Sequence, residues 1–264
     1  MSGKRLAAWI LASTFAAVGF VATAQGQTLA PVGLLIPAYF DPGTDATDWN
    51  RMAGAATQVP LIAVMNPNSG PGKSLDSNYL AAVTALNAAG GRTIGYVHTS
   101  YGYRSLGAVE KDVAKYFSWY PVDGIFIDEM ASVATSRNLK YYKALTAYIR
   151  SLAPSALIVA NPGTAFDQAF STAGVANVYI DCEDTEANVD ATAQTGWELT
   201  QPATAFAEVA VQSGNDAQEA TFLAGRHLGW LYTTTLALSP DPYAALPSDF
   251  EQEVAALVTV NGQR

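Results

Sequence analysis

The sequence predicts an α/β protein in which eight parallel strands close into a single (β/α)8 TIM barrel. Apolar runs of strand length recur along the chain with segments of helix composition between them, an alternation typical of parallel α/β proteins. The run Gly-Ile-Phe-Ile at positions 124–127 is apolar on both faces, as expected of a strand covered on both sides. Eight such runs lie within the 240 residues that follow position 24, close to the roughly 250 residues of a closed barrel. We therefore expect one domain, residues 25–264, with its active site at the carboxyl ends of the strands.

The elements can be placed in order along the chain. The strands are predicted at residues 32–39, 60–65, 92–98, 124–127, 156–160, 177–182, 203–211 and 229–235. Four intervening segments are rich in Ala, Leu, Lys, Glu and Gln, which favours helices at residues 78–89, 107–120, 136–152 and 215–226. Ser77 or Asp76 can cap the first of these helices. Proline and glycine cluster after the strand ends, so we expect those loops to lie together at one face of the barrel.

The first 24 residues are typical of an export signal. Lys4 and Arg5 precede an apolar stretch over residues 6–21, and Ala22-Thr23-Ala24 fits the small-residue pattern of a signal-peptidase site. The stretch is shorter than the roughly 20 residues that span a bilayer. The sequence therefore predicts a secreted or periplasmic protein without stable membrane insertion, and an uncleaved anchor is the alternative.

Composition narrows the class of function. The signal carries two of the fourteen basic residues and none of the twenty-three acidic ones, which leaves a net charge of −11 that would repel nucleic acid and suits a neutral or cationic substrate. Cys182 is the only cysteine, and His98 and His227 are the only histidines, so neither a disulfide within the chain nor a zinc site is expected. No lysine ends a predicted strand, which disfavours an aldolase or lyase. We predict a monomer that needs no metal or cofactor.

Two adjacent carboxylates, Asp128 and Glu129, stand where the fourth strand ends. Alternation along that strand sends Phe126 and Asp128 into the barrel and leaves the direction of Glu129 open. An alternative is that the two acids cap the next helix or bind an arginine.

The sixth strand offers a partner for Asp128. Alternation there predicts that Tyr179, Asp181 and Glu183 face the barrel mouth and that Ile180 and Cys182 face the helices. Asp128 and Glu183 would then face each other, and a carboxylate pair is the catalytic apparatus of most glycosidases. A calcium site formed by Asp181, Glu183, Asp184 and Glu186 is the alternative, although the spacing matches no standard loop.

Several other side chains follow strand ends and are candidates for the site. Tyr39, Tyr101, Tyr103 and Trp197 can stack on sugar rings, with core packing as the alternative for each. Arg104 could hold Asp128 or Glu129 ionised, or lie on the surface, and buried packing is the favoured interpretation of His98. The loop at residues 66–74 ends in Gly-Lys-Ser, but Pro67 and Pro71 lack the amide hydrogens that a phosphate-binding loop needs, so a rigid loop is predicted.

The order of these motifs resembles the spherulin-4-like family, spherulation-specific family 4. The matching features run through nearly the whole chain after the signal: Ile36-Pro37-Ala38-Tyr39, Trp49, Val59-Pro60, Asn66-Pro67, Ser69-Gly70-Pro71-Gly72, Gly95-Tyr96-Val97, Thr99, Tyr101, Arg104, Asp112, Tyr116, Trp119, the 124–129 run, Asn161-Pro162-Gly163-Thr164, Glu183-Asp184, Asp241-Pro242-Tyr243 and Leu246-Pro247. Two departures, Cys182 before Glu183 and Gln212 where a histidine is expected, concern the lining of the site.

The resemblance implies a TIM barrel and a hydrolase that cuts within α-1,4-linked N-acetylgalactosamine polysaccharide. By motif, Asp128, Glu129 and Glu183 match the acidic active-site positions of the family. The residues expected to bind the polysaccharide are Tyr39, Asn66, Tyr101, Arg104, Asn161, Asp181 and Trp197.

The sequence therefore predicts a secreted glycoside hydrolase, and the resemblance implies that its substrate is an exopolysaccharide of the kind found in biofilms. Asp128 is expected to be the nucleophile or charge stabiliser, Glu183 the acid/base and Glu129 a residue that tunes or binds, and the roles of Asp128 and Glu183 can be exchanged. The rival hypothesis is a carbohydrate-binding or cell-wall protein without catalysis.

Overall fold

The computed structural model describes residues 29–194 and 196–264 as a closed barrel of eight parallel strands in the order β1 to β8. The predicted signal, residues 1–24, lies outside the described residues. The strands are β1 (Gly33–Ala38), β2 (Leu61–Met65), β3 (Arg92–His98), β4 (Gly124–Asp128), β5 (Leu157–Ala160), β6 (Val178–Thr185), β7 (Phe206–Val211) and β8 (Trp230–Thr234). The barrel closes where Gly33 and Leu34 of β1 pair with Trp230 and Leu231 of β8. The predicted fold class is thus confirmed.

The helices form a ring outside the strands. In the described chain they are α1 (Ala46–Ala56), α2 (Ser77–Ala88), α3 (Leu106–Trp119), α4 (Ser136–Leu152), α5 (Gln168–Thr172), α6 (Glu186–Ala191), α7 (Asp216–Ala224) and α8 (Phe250–Asn261). The four predicted helices correspond to α2, α3, α4 and α7, and the other four are additional. Asp76 caps α2 by accepting hydrogen bonds from the amides of Asn78 and Tyr79. None of the described helices is both long enough and apolar enough to cross a bilayer.

Two strand boundaries differ from the prediction by three residues, and the other boundaries agree with it to within one residue. The seventh strand begins at Phe206, because the preceding residues Ala203–Ala205 form a turn of 3-10 helix. The sixth strand continues to Thr185, three residues further than predicted, and so carries Glu183 within its ladder.

A bulge in β6 decides which side chains reach the barrel interior. Ile180 pairs with Ala207 of β7 and Cys182 pairs with Glu208, so the intervening Asp181 has no partner in the ladder. Such an extra residue breaks the alternation of a strand. After the bulge the alternation resumes one position out of phase.

The bulge corrects the prediction for the first part of β6. The Tyr179 ring stacks on Phe166 at a centroid distance of 4.6 Å, in the layer outside the barrel. Asp181 also points toward the helices, where it accepts a hydrogen bond from Gln194 Nε2 at 3.4 Å. Cys182 lies on the same side, with its Sγ 3.5 Å from Thr192 Oγ1. If the side chains had alternated without interruption from Tyr179, which faces the helices, Glu183 would also face the helices. Because of the bulge, Glu183 points toward the barrel mouth instead.

Candidate active site

Asp128 ends β4 with its carboxylate directed into the barrel mouth. Its Oδ2 accepts a hydrogen bond from the Tyr96 hydroxyl at 2.6 Å, and its Oδ1 accepts one from Asn161 Nδ2 at 3.0 Å. Tyr96 is placed to do this because β3 and β4 pair in register, with Tyr96 beside Phe126 and His98 beside Asp128. Both oxygens of the Asp128 carboxylate are therefore held by donors.

Glu183 approaches the same point from β6. Its Oε1 accepts a hydrogen bond from the Tyr243 hydroxyl at 2.5 Å, and its Oε2 accepts one from Asn161 Nδ2 at 2.6 Å. Tyr243 comes from the long segment between β8 and α8 and is buried. The two predicted catalytic acids thus have the same pattern of one tyrosine and one shared asparagine.

Asn161 joins the two acids. Its single Nδ2 carries two hydrogens, one for Asp128 and one for Glu183. The two accepting oxygens therefore lie no more than about 5.6 Å apart. The backbone of Asn161 is fixed just after β5, where its backbone N–H donates a hydrogen bond to the carbonyl of Ile127 at 2.8 Å. The structure thus places Asn161, which was predicted to bind substrate, in contact with both acids.

Burial raises the pKa of both carboxyls. For Asp128 the effect of burial exceeds the opposing effect of the donors Tyr96, the Glu129 amide and Asn161, so its pKa lies above the ordinary value. For Glu183 burial again dominates the pKa, the donors Tyr243 and Asn161 oppose it, and the charge of Asp128 raises it further. Two acids so close together favour a state in which one is protonated and the other ionised.

Glu129 lies beside the pair in a strained backbone conformation. Its φ of +49° is in the left-handed region, which non-glycine residues rarely adopt. Two hydrogen bonds stabilise this conformation, because the Glu129 carbonyl accepts from the Tyr101 backbone amide at 2.7 Å and from Thr99 Oγ1 at 2.8 Å. Its carboxylate is 40 % exposed and lies 3.6 Å from His98 Nδ1. His98 is therefore half-exposed beside an acid, and the prediction that it packs in the core is wrong.

The acids line a cleft of about 160 Å³ at the carboxyl ends of the strands. Its wall is formed by Tyr101, Asp128, Glu129, Asn161, Pro162, Gly163 and Glu183. The Tyr101 side chain is 56 % exposed, so its ring is available to a ligand at the rim. Tyr101 has a left-handed backbone with φ of +56°, which again places strain at this cleft.

The two tyrosines that donate to the acids are themselves packed against a third tyrosine, Tyr39. Tyr39 packs edge-on against Tyr96 at 5.6 Å and against Tyr243 at 5.5 Å. Burial, followed by the charges of Asp128 and Glu183, raises the pKa of Tyr39 well above its ordinary value, so it remains a neutral phenol. The tyrosines that bind the acids, Tyr96 and Tyr243, were absent from the predicted site. Inward alternation on β3 could have found Tyr96, but no periodic signal leads to Tyr243.

Four predicted site residues lie elsewhere. Asp181 faces the helices because of the bulge. Arg104 does not meet Asp128 or Glu129, since it donates to Asp112 Oδ2 on α3 at 2.5 Å and to the His98 carbonyl at 3.1 Å. Asn66 accepts from the Gly70 amide at 2.9 Å and so holds its own loop. Trp197 packs against Phe166 and Phe206 in the layer outside the barrel.

The alternative roles of the acids are not supported by the geometry. Thr135, and not Asp128 or Glu129, caps α4, because the Thr135 side chain accepts from the Asn138 amide. The four acids considered as a calcium site are divided between the two faces of β6, since Asp181 faces the helices and Glu183 the mouth. The geometry instead provides two carboxylates held close together in a buried cleft.

Solved structures share this barrel. Sph3 from Aspergillus clavatus, in complex with GalNAc, matches with a TM-score of 0.76 and 22 % identity, over 87 % of this chain and 98 % of that chain. The cyclic α-maltosyl-(1→6)-maltose hydrolase of Arthrobacter globiformis, in complex with its cyclic sugar, matches with a TM-score of 0.58 and 9 % identity, over 89 % and 83 % of the two chains. At these identities the likeness establishes the fold.

Comparisons of the sequence identify the family as well as the fold. The family model described as spherulation-specific family 4 matches residues 33–257. Spherulin-4 from Physarum polycephalum is 34 % identical over 245 residues, which cover 88 % of this chain and 71 % of that protein. These two matches span almost the whole described barrel, and the chain therefore belongs to spherulation-specific family 4.

Proposed function

We propose that this protein is a glycoside hydrolase that uses Asp128 and Glu183 as its two catalytic carboxyls. The observation that carries the proposal is their joint attachment to Asn161 Nδ2 inside a cleft at the carboxyl ends of the strands. Glycosidases need two carboxyl groups on either side of the scissile bond, one protonated and one ionised. The raised pKa of both groups supports such a divided state.

The hydrogen bonds suggest a division of roles. Asp128 receives three donors, from Tyr96, Asn161 and its neighbouring amide, and these stabilise an anion that can attack the anomeric carbon. Glu183 is raised in pKa by burial and by the charge of Asp128, which suits a proton donor to the leaving oxygen. As the bond from Asp128 to the anomeric carbon forms, the glycosidic bond breaks and the Glu183 proton goes to the leaving sugar.

The spacing of the acids favours retention of configuration. Carboxyl groups about 5–5.5 Å apart are typical of retaining enzymes, and inverting enzymes leave about 6.5–9.5 Å for a water molecule. The bound of about 5.6 Å between the two oxygens on Asn161 fits the first class. In the second half of the reaction Glu183, now ionised, takes a proton from water, which displaces Asp128 from the sugar. NMR of the fresh product should detect the same anomer as in the substrate.

For the substrate we propose an α-1,4-linked polymer of N-acetylgalactosamine and galactosamine, cut within the chain. The sugar bound to the structurally similar Sph3 is GalNAc, which supports a hexosamine. The three acids that line the cleft suit a polymer that carries free amino groups. Residues 1–24 would direct the protein out of the cell, where such exopolysaccharides lie, and the N-terminal sequence of the exported protein would test this step.

The decisive experiment is to incubate purified protein with partly deacetylated poly-N-acetylgalactosamine and to search for oligosaccharides by mass spectrometry. Asp128→Asn and Glu183→Gln should each abolish the product. Asp181→Asn is a matched control, because Asp181 is on the same strand as Glu183 but faces the helices. Undiminished product from both site variants would refute the two-carboxylate mechanism, and binding without cleavage by the native protein would favour the non-catalytic carbohydrate-binding hypothesis.

A further inference from the structure

Three carboxylates converge outside the barrel, between the helices that follow β6 and β7. Glu186 and Asp190 are four residues apart on α6, so they share one face of that helix, and Glu219 approaches them from α7. One oxygen from each side chain lies within 4.8 Å of the other two. This group, the α6–α7 carboxylates, is separate from the acids of the cleft.

Glu219 is almost fully buried, and in the described chain its carboxyl faces another acid, Asp190, with which it can share a hydrogen bond only when one of the two is protonated. The residue is only 4 % exposed, and its Oε1 is buried without a hydrogen-bond partner in that part of the chain. A buried carboxylate oxygen without a partner is costly, and the neighbouring acids add repulsion. Because one carboxylate oxygen of Glu219 lies within 4.8 Å of those of Glu186 and Asp190, a cation among the three acids would offset this cost.

The nearest basic side chain, Arg226, is engaged elsewhere. Its Nη1 contacts Glu208 Oε2 at 2.9 Å and the Val189 carbonyl at 3.0 Å, and its Nη2 donates to the Thr192 carbonyl. The three acids therefore keep an excess of negative charge. One further contact orders the group, since Glu186 Oε2 accepts a hydrogen bond from the Gly214 amide in the loop after β7.

We propose that Glu186, Asp190 and Glu219 form a binding site for a calcium ion. Ligands that are all carboxylate oxygens select a hard cation and not zinc or copper. Calcium–oxygen distances of 2.3–2.6 Å place two opposite ligands up to about 5 Å apart, whereas magnesium draws them to about 4 Å. The three ligand oxygens all lie within 4.8 Å of one another, so one calcium ion can contact all of them, and the exposed side of Asp190 leaves room for the water ligands that a flexible calcium site takes.

The ion would connect two parts of the barrel wall. Glu186 begins α6 directly after β6, three residues beyond Glu183, and Glu219 belongs to the helix that follows β7. Binding would therefore hold α6 against α7 beside the cleft. Ligands that bind only the folded state raise its stability, so calcium should raise the melting temperature whether or not the protein is an enzyme.

The test uses the full protein after treatment with EDTA and dialysis, with calcium chloride as the probe. Isothermal titration calorimetry should give one site per chain with a Kd of roughly 10⁻⁴–10⁻³ M, and 10 mM calcium should raise Tm by roughly 3–7 °C. Magnesium at the same concentration should give a smaller shift. Asp190→Asn, an exposed substitution, should weaken binding at least tenfold and remove the shift in Tm.

Glu219→Gln should have the same effect on binding, and Glu110→Gln on α3 is the matched control that should bind calcium as the native protein does. If Glu219→Gln does not fold, Asp190→Asn still decides the question. The proposal is overturned if the native protein shows neither heat nor a shift in Tm at 10 mM calcium, if Asp190→Asn binds as tightly as the native protein, or if magnesium is as effective as calcium.

Discussion

Asn161 is the residue on which the geometry of the proposed catalytic pair depends. Its Nδ2 is the only atom in the described chain seen to bond both Asp128 and Glu183. Hydrogen bonds to charged groups contribute about 1.5–3 kcal/mol each, and 1.36 kcal/mol corresponds to a tenfold change in rate. Asn161→Ala should therefore lower kcat at least about 100-fold with a smaller change in KM. Steady-state kinetics on a defined oligosaccharide would measure this, and an unchanged kcat would contradict the positioning role.

The two tyrosines offer a way to assign the acid and the nucleophile. The Tyr243 hydroxyl lowers the pKa of Glu183, and the Tyr96 hydroxyl lowers the pKa of Asp128. Loss of either donor should raise the pKa of its acid, because a hydrogen bond to the carboxylate favours the charged form. Tyr243→Phe should therefore move the alkaline limb of the kcat/KM profile upward, because Glu183 must be protonated. Tyr96→Phe should move the acidic limb upward, because Asp128 must be ionised.

The outcome of these profiles separates the two assignments. If Tyr243→Phe moves the acidic limb and Tyr96→Phe the alkaline limb, then Glu183 is the nucleophile and Asp128 the acid. If neither limb moves, the two groups do not control the pH dependence. Both limbs belong to the coupled pair, so the comparison of the two variants carries more information than either profile alone.

At this scale the sequence predicts the acids better than their surroundings. Asp128 is predictable because a short apolar strand ends there and alternation holds along it. Asp181 is misplaced because one extra residue in β6 changes the phase, and a bulge leaves no mark in the hydrophobic pattern. Tyr243 comes from a loop 60 residues from Glu183, and contacts of that separation follow only from the closed barrel.

At the scale of elements, strands are more predictable than helices here. Most positions of the eight strands are buried, and β1, β2, β4 and β5 are short apolar runs, whereas the short helices α5 and α6 have only five and six residues. Such lengths give too few turns for a helical period. Helix α8 has acidic residues, Glu251 and Glu253, in its first turn, which favours a helix. Its Val-rich end also suits a strand, so the sequence pattern of this segment is ambiguous.

One glycine sets the distance between β3 and α3. A Cβ at Gly95 would lie 2.4 Å from the ring of Tyr116, which is fully buried. Gly95→Ala must displace α3 or the ring, and we expect it to lower the free energy of unfolding by about 1–3 kcal/mol. Gly107→Ala is the matched control within α3, because nothing lies within 4 Å of its added Cβ. That variant should be neutral or more stable by up to about 1 kcal/mol. Urea unfolding measures both, and equal effects would contradict the packing argument.

At the scale of the whole molecule, buried acids outside the cleft should make stability depend on pH. Burial, followed by the charge of Glu198, raises the pKa of Asp181 to about 7. Burial and the charge of Asp181 raise the pKa of Glu208 to about 8, although Arg226 opposes this. Burial and the charge of Asp249 raise the pKa of Asp216 to about 7. These acids lie in the layer between strands and helices, where burial disfavours the charged form more than the neighbouring donors and Arg226 favour it.

The direction of the pH effect follows from these shifts. An acid whose pKa is higher in the folded than in the unfolded state binds more protons when folded, so its stabilisation is complete below about pH 4 and is lost as the pH rises through 7 to 8. The free energy of unfolding, measured in urea with EDTA present, should therefore be several kcal/mol lower at pH 8 than at pH 5.

Asp216→Asn should flatten this dependence of the free energy of unfolding on pH by up to about 1.4 kcal/mol per pH unit. Glu251→Gln should leave the slope unchanged, because hydrogen bonding to Arg51 lowers the pKa of Glu251 and moves its titration below this range. A stability that is constant or increases from pH 5 to pH 8 would mean that the buried acids are ionised in the folded protein.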